Sequence, residues 1–241
     1  GAVADEAFLQ EALTAAVAAW QEPPLAVESR TSAAIVAGED ERAQASSFAH
    51  SSAGTMVQFA MAGIMGAAEI LVVERKTGAL RRLLTTAIAR GQIILGHWLA
   101  MVVMILGQLA LLILFADLVL GVGYLRQPLA TLLMVSTTVL WAASMGLFIG
   151  TVARNEEQVI MITILAMLLL AGLGGAWIPL EYTGEAFQTV GRLTPAAWAI
   201  NGLENIVVRG LGLASVLLPA AVLLGFSAAF AGLALWRFRF E

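Results

Sequence analysis

Apolar residues gather along the chain into five long blocks, at roughly residues 53–73, 93–120, 129–153, 158–178 and 212–235. A helix rises about 1.5 Å per residue, so about 20 apolar residues cross a hydrocarbon core of roughly 30 Å, and each block predicts a membrane-spanning helix. Ahead of them, Leu9, Leu13, Ala16, Val17 and Trp20 recur at helical spacing and stop before Pro23 and Pro24, the pattern of an amphipathic helix. Leu25 to Ser29 reads as a short strand, and Gly38 to Ser52, rich in Glu, Asp, Ser and Ala, reads as a surface linker. The expected fold is an all-α integral membrane protein, with residues 53–241 forming the transmembrane domain and residues 1–52 a small partial α/β segment outside it.

Composition supports lipid as the surroundings. The chain is 60% hydrophobic and only 12% charged, with a mean hydropathy of +0.87, more apolar surface than a soluble fold of this size buries. Its net charge of −4 averages two unlike regions, because residues 1–52 hold eight acids against two bases. The positive-inside rule sets an orientation: Arg75, Lys76, Arg81, Arg82, Arg90, Arg154, Arg237 and Arg239 fall on one side, and Arg126, Arg192 and Arg209 on the other. Five spans then place residues 1–52 outside the cell and the C-terminus in the cytoplasm, in a multi-pass protein of the plasma membrane. There is no cysteine, which excludes disulfides and thiolate metal sites. The chain begins at Gly1 without an initiator Met or an apolar leader, which predicts a truncated or processed N-terminus.

Small residues four apart, as in Gly63 and Ala67, Gly172 and Ala176, or Ala228 and Gly232, predict close helix approach or a dimer seam. Residues 74–91 are too charged to cross the bilayer, yet Leu80, Leu83, Leu84 and Ala87 share one helical face. Thr77 reads as an N-cap and Gly91 as a terminator, giving an amphipathic helix on the cytoplasmic leaflet. That pattern fits an anionic-lipid anchor or a docking element. Arg81 and Arg82 would occupy the first turn of a helix starting near Gly78, where the macrodipole disfavours cations, which favours a partner protein or lipid headgroup as the reason for them.

The stretch Val73-Glu-Arg-Lys-Thr-Gly-Ala-Leu-Arg-Arg-Leu-Leu-Thr-Thr-Ala-Ile-Ala-Arg resembles the first cytoplasmic segment of type-2 ABC transporter permeases. Gly54-Thr-Met-Val-Gln-Phe resembles the start of that family's second span, and Gly146-Leu-Phe-Ile-Gly-Thr-Val-Ala-Arg-Asn-Glu-Glu-Gln the end of its fourth. Ile178-Pro-Leu-Glu, Leu193-Thr-Pro-Ala-Ala-Trp-Ala-Ile-Asn-Gly-Leu and Val208-Arg-Gly resemble its last extracytoplasmic loop. Together these cover about residues 50–241 in the expected order. Two departures stand out: the family has six spans, the first of which is missing here, and Tyr182-Thr-Gly-Glu-Ala-Phe replaces its usual Met-Pro and aromatic.

The resemblance implies a homodimer or heterodimer of permeases that binds two ABC ATPase subunits and exports lipids, drugs, polysaccharides or peptides. ATP and magnesium would be bound by the ATPase and no cofactor by this chain. The implied ATPase-coupling interface is Glu74, Arg75, Thr77, Gly78, Leu80, Arg81, Arg82 and Arg90, with a second cytoplasmic contact at Arg154, Glu156 and Glu157. An extracytoplasmic loop at about 179–210, with Pro179, Glu181, Pro195 and Trp198, would cap or gate the exit.

Other chemistry finds little support. The chain has no Gly-x-x-x-x-Gly-Lys phosphate loop, and Gly121-Val-Gly123 lacks a third glycine, so hydrolysis of ATP or dinucleotide binding by the chain alone is not expected. His50 and His97 fall on opposite sides of the membrane, so no shared metal or catalytic pair is expected, and His97 should face the headgroups. Ser136 and Ser144 have no histidine nearby in the spans. Nucleic acid is not an expected partner. Glu69 and Asp117 lie within apolar spans, where a charge is costly. Glu69 predicts a snorkelled salt bridge near Glu74 and Arg75, and Asp117 reaches toward water; both are also candidates for a transport path. An ion-coupled secondary transporter using either carboxylate is therefore the alternative to an ATP-driven exporter, and a scaffold or sensor whose residues 1–52 bind an external ligand is a third.

Overall fold

A computed structural model describes residues 10–11, 14, 29–79, 82 and 89–237. They are helices joined by turns, with no strand among the described residues. The chain divides into two units, Gly1–Gln44 and Ala45–Glu241. In the first, Thr14 is helical and its hydroxyl donates to the Gln10 carbonyl at 2.9 Å, while the apolar positions predicted for an amphipathic helix lie outside the described residues. So does most of the predicted strand; its last residue, Ser29, opens helix α1 (Ser29–Lys76).

That helix corrects the linker expected at Gly38 to Ser52, which is helical throughout. Polarity suggested a loop, but Glu39, Glu41, Arg42, Ala43, Gln44 and Ala45 are strong helix formers, and the lone Gly38 does not outweigh them.

The second unit continues with α2 (Arg90–Leu118), α3 (Pro128–Val152), α4 (Glu156–Leu173), α5 (Glu185–Arg192), α6 (Pro195–Val207) and α7 (Leu217–Arg237). Among the described residues five segments are long and apolar enough to cross a membrane: Ser47–Lys76, Gly91–Leu118, Pro128–Val152, Glu156–Leu173 and Leu213–Arg237. The fourth is shorter than expected, because Gly174 and Gly175 turn the chain before Ile178. Helix α3 is the central one. It packs on α2, α4, α6 and α7, and its Trp141 and Met134 are wholly buried. Helix α2 instead leaves Leu111 70% and Leu118 79% exposed. Such exposure is costly in water and costs nothing against acyl chains.

Within the unit, α1 packs on α3 through glycines. A Cβ at Gly146 would lie 2.6 Å from Ile64 Cγ2, and one at Gly150 2.9 Å from Leu71 Cδ2, so only hydrogen at these positions lets the two backbones approach. The predicted small-residue pairs behave differently. Gly63 takes the Gln108 side chain of α2 and Gly172 faces Trp177, whereas nothing lies near a Cβ at Gly232. Polar bonds add to the contact around α3: Trp98 Nε1 donates to Ser144 Oγ at 3.0 Å, and Ser144 Oγ lies 2.9 Å from Ser227 Oγ of α7.

Candidate functional site

The end of α1 at Lys76 is built from three consecutive charged residues that reach three different helices. Glu74 Oε2 lies 2.7 Å from His97 Nε2 on α2. The Arg75 guanidinium donates to the Gly150 carbonyl on α3, and Lys76 Nζ lies 3.1 Å from Glu156 Oε1 on α4. Successive helical side chains point about 100° apart, so one turn of α1 can face three neighbours. Arg75 and Lys76 also complement the negative end of the α1 dipole, as Glu156 and Glu157 complement the positive end of α4.

His97 faces acceptors on both sides, since its Nδ1 lies 2.8 Å from the Ile93 carbonyl. This ring is packed between two helices, which corrects the expectation that it faces headgroups; its side chain is 14% exposed.

Directly beyond, the chain turns at Thr77 and Gly78. Thr77 was expected as an N-cap, but its hydroxyl donates back to the Val73 carbonyl at 2.9 Å and so closes α1. Gly78 follows at φ 72°, the left-handed conformation that ends helices. Arg82 N donates to the Gly78 carbonyl at 3.1 Å and its guanidinium to Thr77 O at 3.2 Å, one helical turn begun again. Leu80, Arg81 and residues 83–88 lie outside the described residues, and with them most of the predicted amphipathic helix. Gly91 does not terminate it: Gly91 lies in the first turn of α2, which starts at Arg90 with Gln92 Oε1 accepting from Ala89 N.

The second predicted contact is adjacent. Asn155 caps α4 by accepting from Gln158 N, and Arg154 N donates to Gln158 Oε1. The Lys76–Glu156 bridge thus joins the two stretches, a link that sequence spacing gave no sign of because 80 residues separate the partners.

At the other end of the membrane-spanning part of α1, the expected loop at 179–210 is largely two packed helices. Thr194 caps α6 by accepting from Ala197 N, and Pro195 is its first residue, so the proline starts a helix instead of breaking one. Helix α6 has 13 residues, too few to cross a membrane, and packs on α3, α4 and α7. Gly191 makes the α5 turn possible, since a Cβ there would sit 2.5 Å from the Leu173 carbonyl. His50 Nδ1 of α1 bonds Glu204 of α6, and Glu181 Oε1 holds Arg209 Nη2 at 3.0 Å. Trp198 Nε1 donates to the Arg192 carbonyl at 2.8 Å. Between these groups lies a cavity of about 660 Å³, lined by Pro179, Glu181 and Trp198 among others. Pro195 is buried away from it.

The two membrane carboxylates are not brought together. Asp117 accepts from the backbone N–H groups of Gly123, Tyr124 and Leu125 at 2.9, 2.7 and 2.7 Å, and so builds the turn from α2 to α3. Glu69, half-buried on α1, makes no ion pair among the described residues, contrary to the expected salt bridge, because Glu74 and Arg75 are committed to His97 and Gly150. Both histidines therefore belong to His–Glu pairs, one at each end of the membrane-spanning part of α1. Separations of 23 and 154 residues hid those pairs from the sequence.

Known proteins give this geometry a context. Residues 5–236 match the family described as ABC-2 family transporter protein. The chain is 30% identical over 188 residues to the linearmycin resistance permease protein LnrN of Bacillus subtilis (strain 168), covering 78% of this chain and 49% of the relative. It is 29% identical over 181 residues to the inner membrane transport permease YhhJ of Escherichia coli (strain K12), covering 74% and 48%. With ABC transporter G family member 20 of Dictyostelium discoideum it shares 27% identity over 167 residues, 69% of this chain and 21% of the relative. The chain thus spans about half the length of the first two relatives. No solved structure matches it. The chain belongs to the ABC-2 family of transporter membrane proteins, a family of permeases that work in general with ABC ATPases.

Proposed function

We propose that this chain is the permease subunit of an ATP-driven exporter, paired with a second permease copy and with separate ATPase subunits that bind ATP and magnesium. The observation that carries this reading is the three-way fastening at the Lys76 end of α1, through Glu74–His97, Arg75–Gly150 and Lys76–Glu156. A push on the segment between α1 and α2 is delivered through them to α2, α3 and α4 together. Eight basic residues on that side support a cytoplasmic position for it, where an ATPase would dock on Arg81 and Arg82. The cargo class is a lipid-like molecule, a drug or a polymer; a relative named for linearmycin resistance supports a drug. The His50 end, with α5 and α6, would then form the extracytoplasmic gate.

An ion-coupled transporter is the weaker alternative, because both Asp117 oxygens are already engaged by backbone donors. Glu69 is its remaining candidate. Reconstitution with the partner ATPase separates the two readings. Replacing Arg81 and Arg82 by Glu should abolish permease-stimulated ATP hydrolysis and cargo movement. Transport that survives this change and follows a proton gradient would replace the exporter reading with the ion-coupled one.

A further inference from the structure

The cavity at the His50 end has the chemistry of a binding site, independent of how transport is driven. Its volume of about 660 Å³ lies within the range of small-molecule sites, roughly 300 to 1,000 Å³. Most charges around it are already matched. Glu204 is held by His50, and Glu181 by Arg209, which also donates to Asn205 Oδ1. Arg192 is the exception. Its guanidinium has only the neutral Gln188 Oε1 at 3.5 Å, the far limit of a hydrogen bond, and no carboxylate pairs with it among the described residues. A planar fork with donors to spare is suited to a phosphate or carboxylate.

The same cavity is walled by aromatic surface. Trp177 is 56% and Tyr182 81% exposed, with Trp198 beside Arg192 and Ile178 exposed next to Trp177. Tryptophan and tyrosine at the end of membrane spans mark the level where lipid headgroups meet acyl chains. One cation and an apolar wall at that level select a molecule with an anionic head and an apolar body.

We infer that this cavity binds an anionic amphiphile, its phosphate or carboxylate on Arg192 and its apolar part against Trp177 and Trp198. The molecule can come from the membrane, as an anionic lipid, or from solution.

The test uses the full chain alone in phosphatidylcholine nanodiscs, read by tryptophan fluorescence, with dodecyl phosphate, dodecyltrimethylammonium and inorganic phosphate as probes. Dodecyl phosphate should bind saturably, while the other two should not. Arg192→Gln should weaken it about tenfold, the effect of losing one charge-assisted contact. Arg192→Lys, which keeps the charge and loses the fork, should fall between, and Arg237→Gln at the end of α7 should bind like the parent. Competition by phosphatidylglycerol in the disc assigns the site to a membrane lipid, and its absence to a soluble amphiphile. Equal binding by the parent and Arg192→Gln, or equal binding of the cationic probe, overturns the site. No ATPase takes part, so either result leaves the exporter proposal standing on its own test.

Discussion

Glu74 and His97 meet at 2.7 Å, joining the last turn of α1 to the second turn of α2 across the segment that connects the two helices. The pair ties the two helices directly to each other, so a displacement of one is passed to the other. Glu74→Ala leaves the His97 ring beside Ile93 alone. Expected is a stability loss of about 1 kcal/mol, the size of one buried hydrogen bond. The larger effect should be on coupling: cargo movement falls while hydrolysis by the partner ATPase continues. Paired assays of transport and ATP turnover in the same vesicles check this, and parallel losses of both would mean that the pair only holds the fold.

Helix contact makes a second prediction. Gly146→Leu and Gly150→Leu drive side chains into Ile64 and Leu71, and overpacking of this kind costs roughly 1–3 kcal/mol or more where backbones touch. Gly66 lies on the same helix as Ile64 with open space at its Cβ position, so Gly66→Ala should be tolerated. Thermal unfolding in a neutral detergent should rank the three variants in that order; equal tolerance would deny the α1–α3 glycine contact.

The glycine contact shows where sequence reading stops. Five spans were legible because lipid demands continuous apolar runs, and three of them, Gly91–Leu118, Pro128–Val152 and Leu213–Arg237, begin and end within about two residues of the expected places. Arg75 was legible as part of the charged segment after the first span, but not as a residue of α1 or a donor to Gly150, since a contact 75 residues apart leaves no mark on local periodicity. Residues 38–52 were misread because helix propensity in a polar stretch resembles loop composition. Helices α5 and α6 were read as loop because their prolines and polar residues mark starts and caps as well as breaks. Thr194 and Pro195 play the first part. The cavity joins residues from α1, the turn after α4, α5 and α6, and its Arg192 was visible in sequence only as a counted charge.

Asp117 gives a third prediction, one that bears on how transport is driven. Its carboxylate accepts three backbone N–H groups, so Asp117→Asn places an amide NH2 against a donor such as Leu125 N. The cost should be about 1 kcal/mol, that of a hydrogen bond lost at a half-buried group. ATP-driven transport per folded molecule should remain, because the residue shapes a turn. Should Asp117→Asn keep full stability yet lose transport powered by a proton gradient, the ion-coupled alternative would gain the residue it needs.

Tyr124 sets the behaviour of the same turn at alkaline pH. Its side chain is fully buried, and its hydroxyl lies 3.1 Å from Ser52 Oγ of α1. Burial, reinforced by the carboxylates of Asp117 and Glu204, raises its hydroxyl pKa well above the ordinary tyrosine value, against the lowering effect of the Ser52 bond. The folded state therefore holds this proton more tightly than the unfolded chain, whose tyrosine titrates near 10. The stability that results is complete below about pH 10 and is lost as pH rises beyond it, where unfolding lets the phenol ionise. Tyr124→Phe should lower stability by about 1 kcal/mol at neutral pH through loss of the Ser52 bond. Above about pH 10 the variant should lose stability less steeply than the parent, so the difference between them narrows. Unfolding temperatures of both proteins measured from neutral to strongly alkaline pH give the two slopes, and parallel slopes would show that Tyr124 ionises as readily in the folded chain as in the unfolded one.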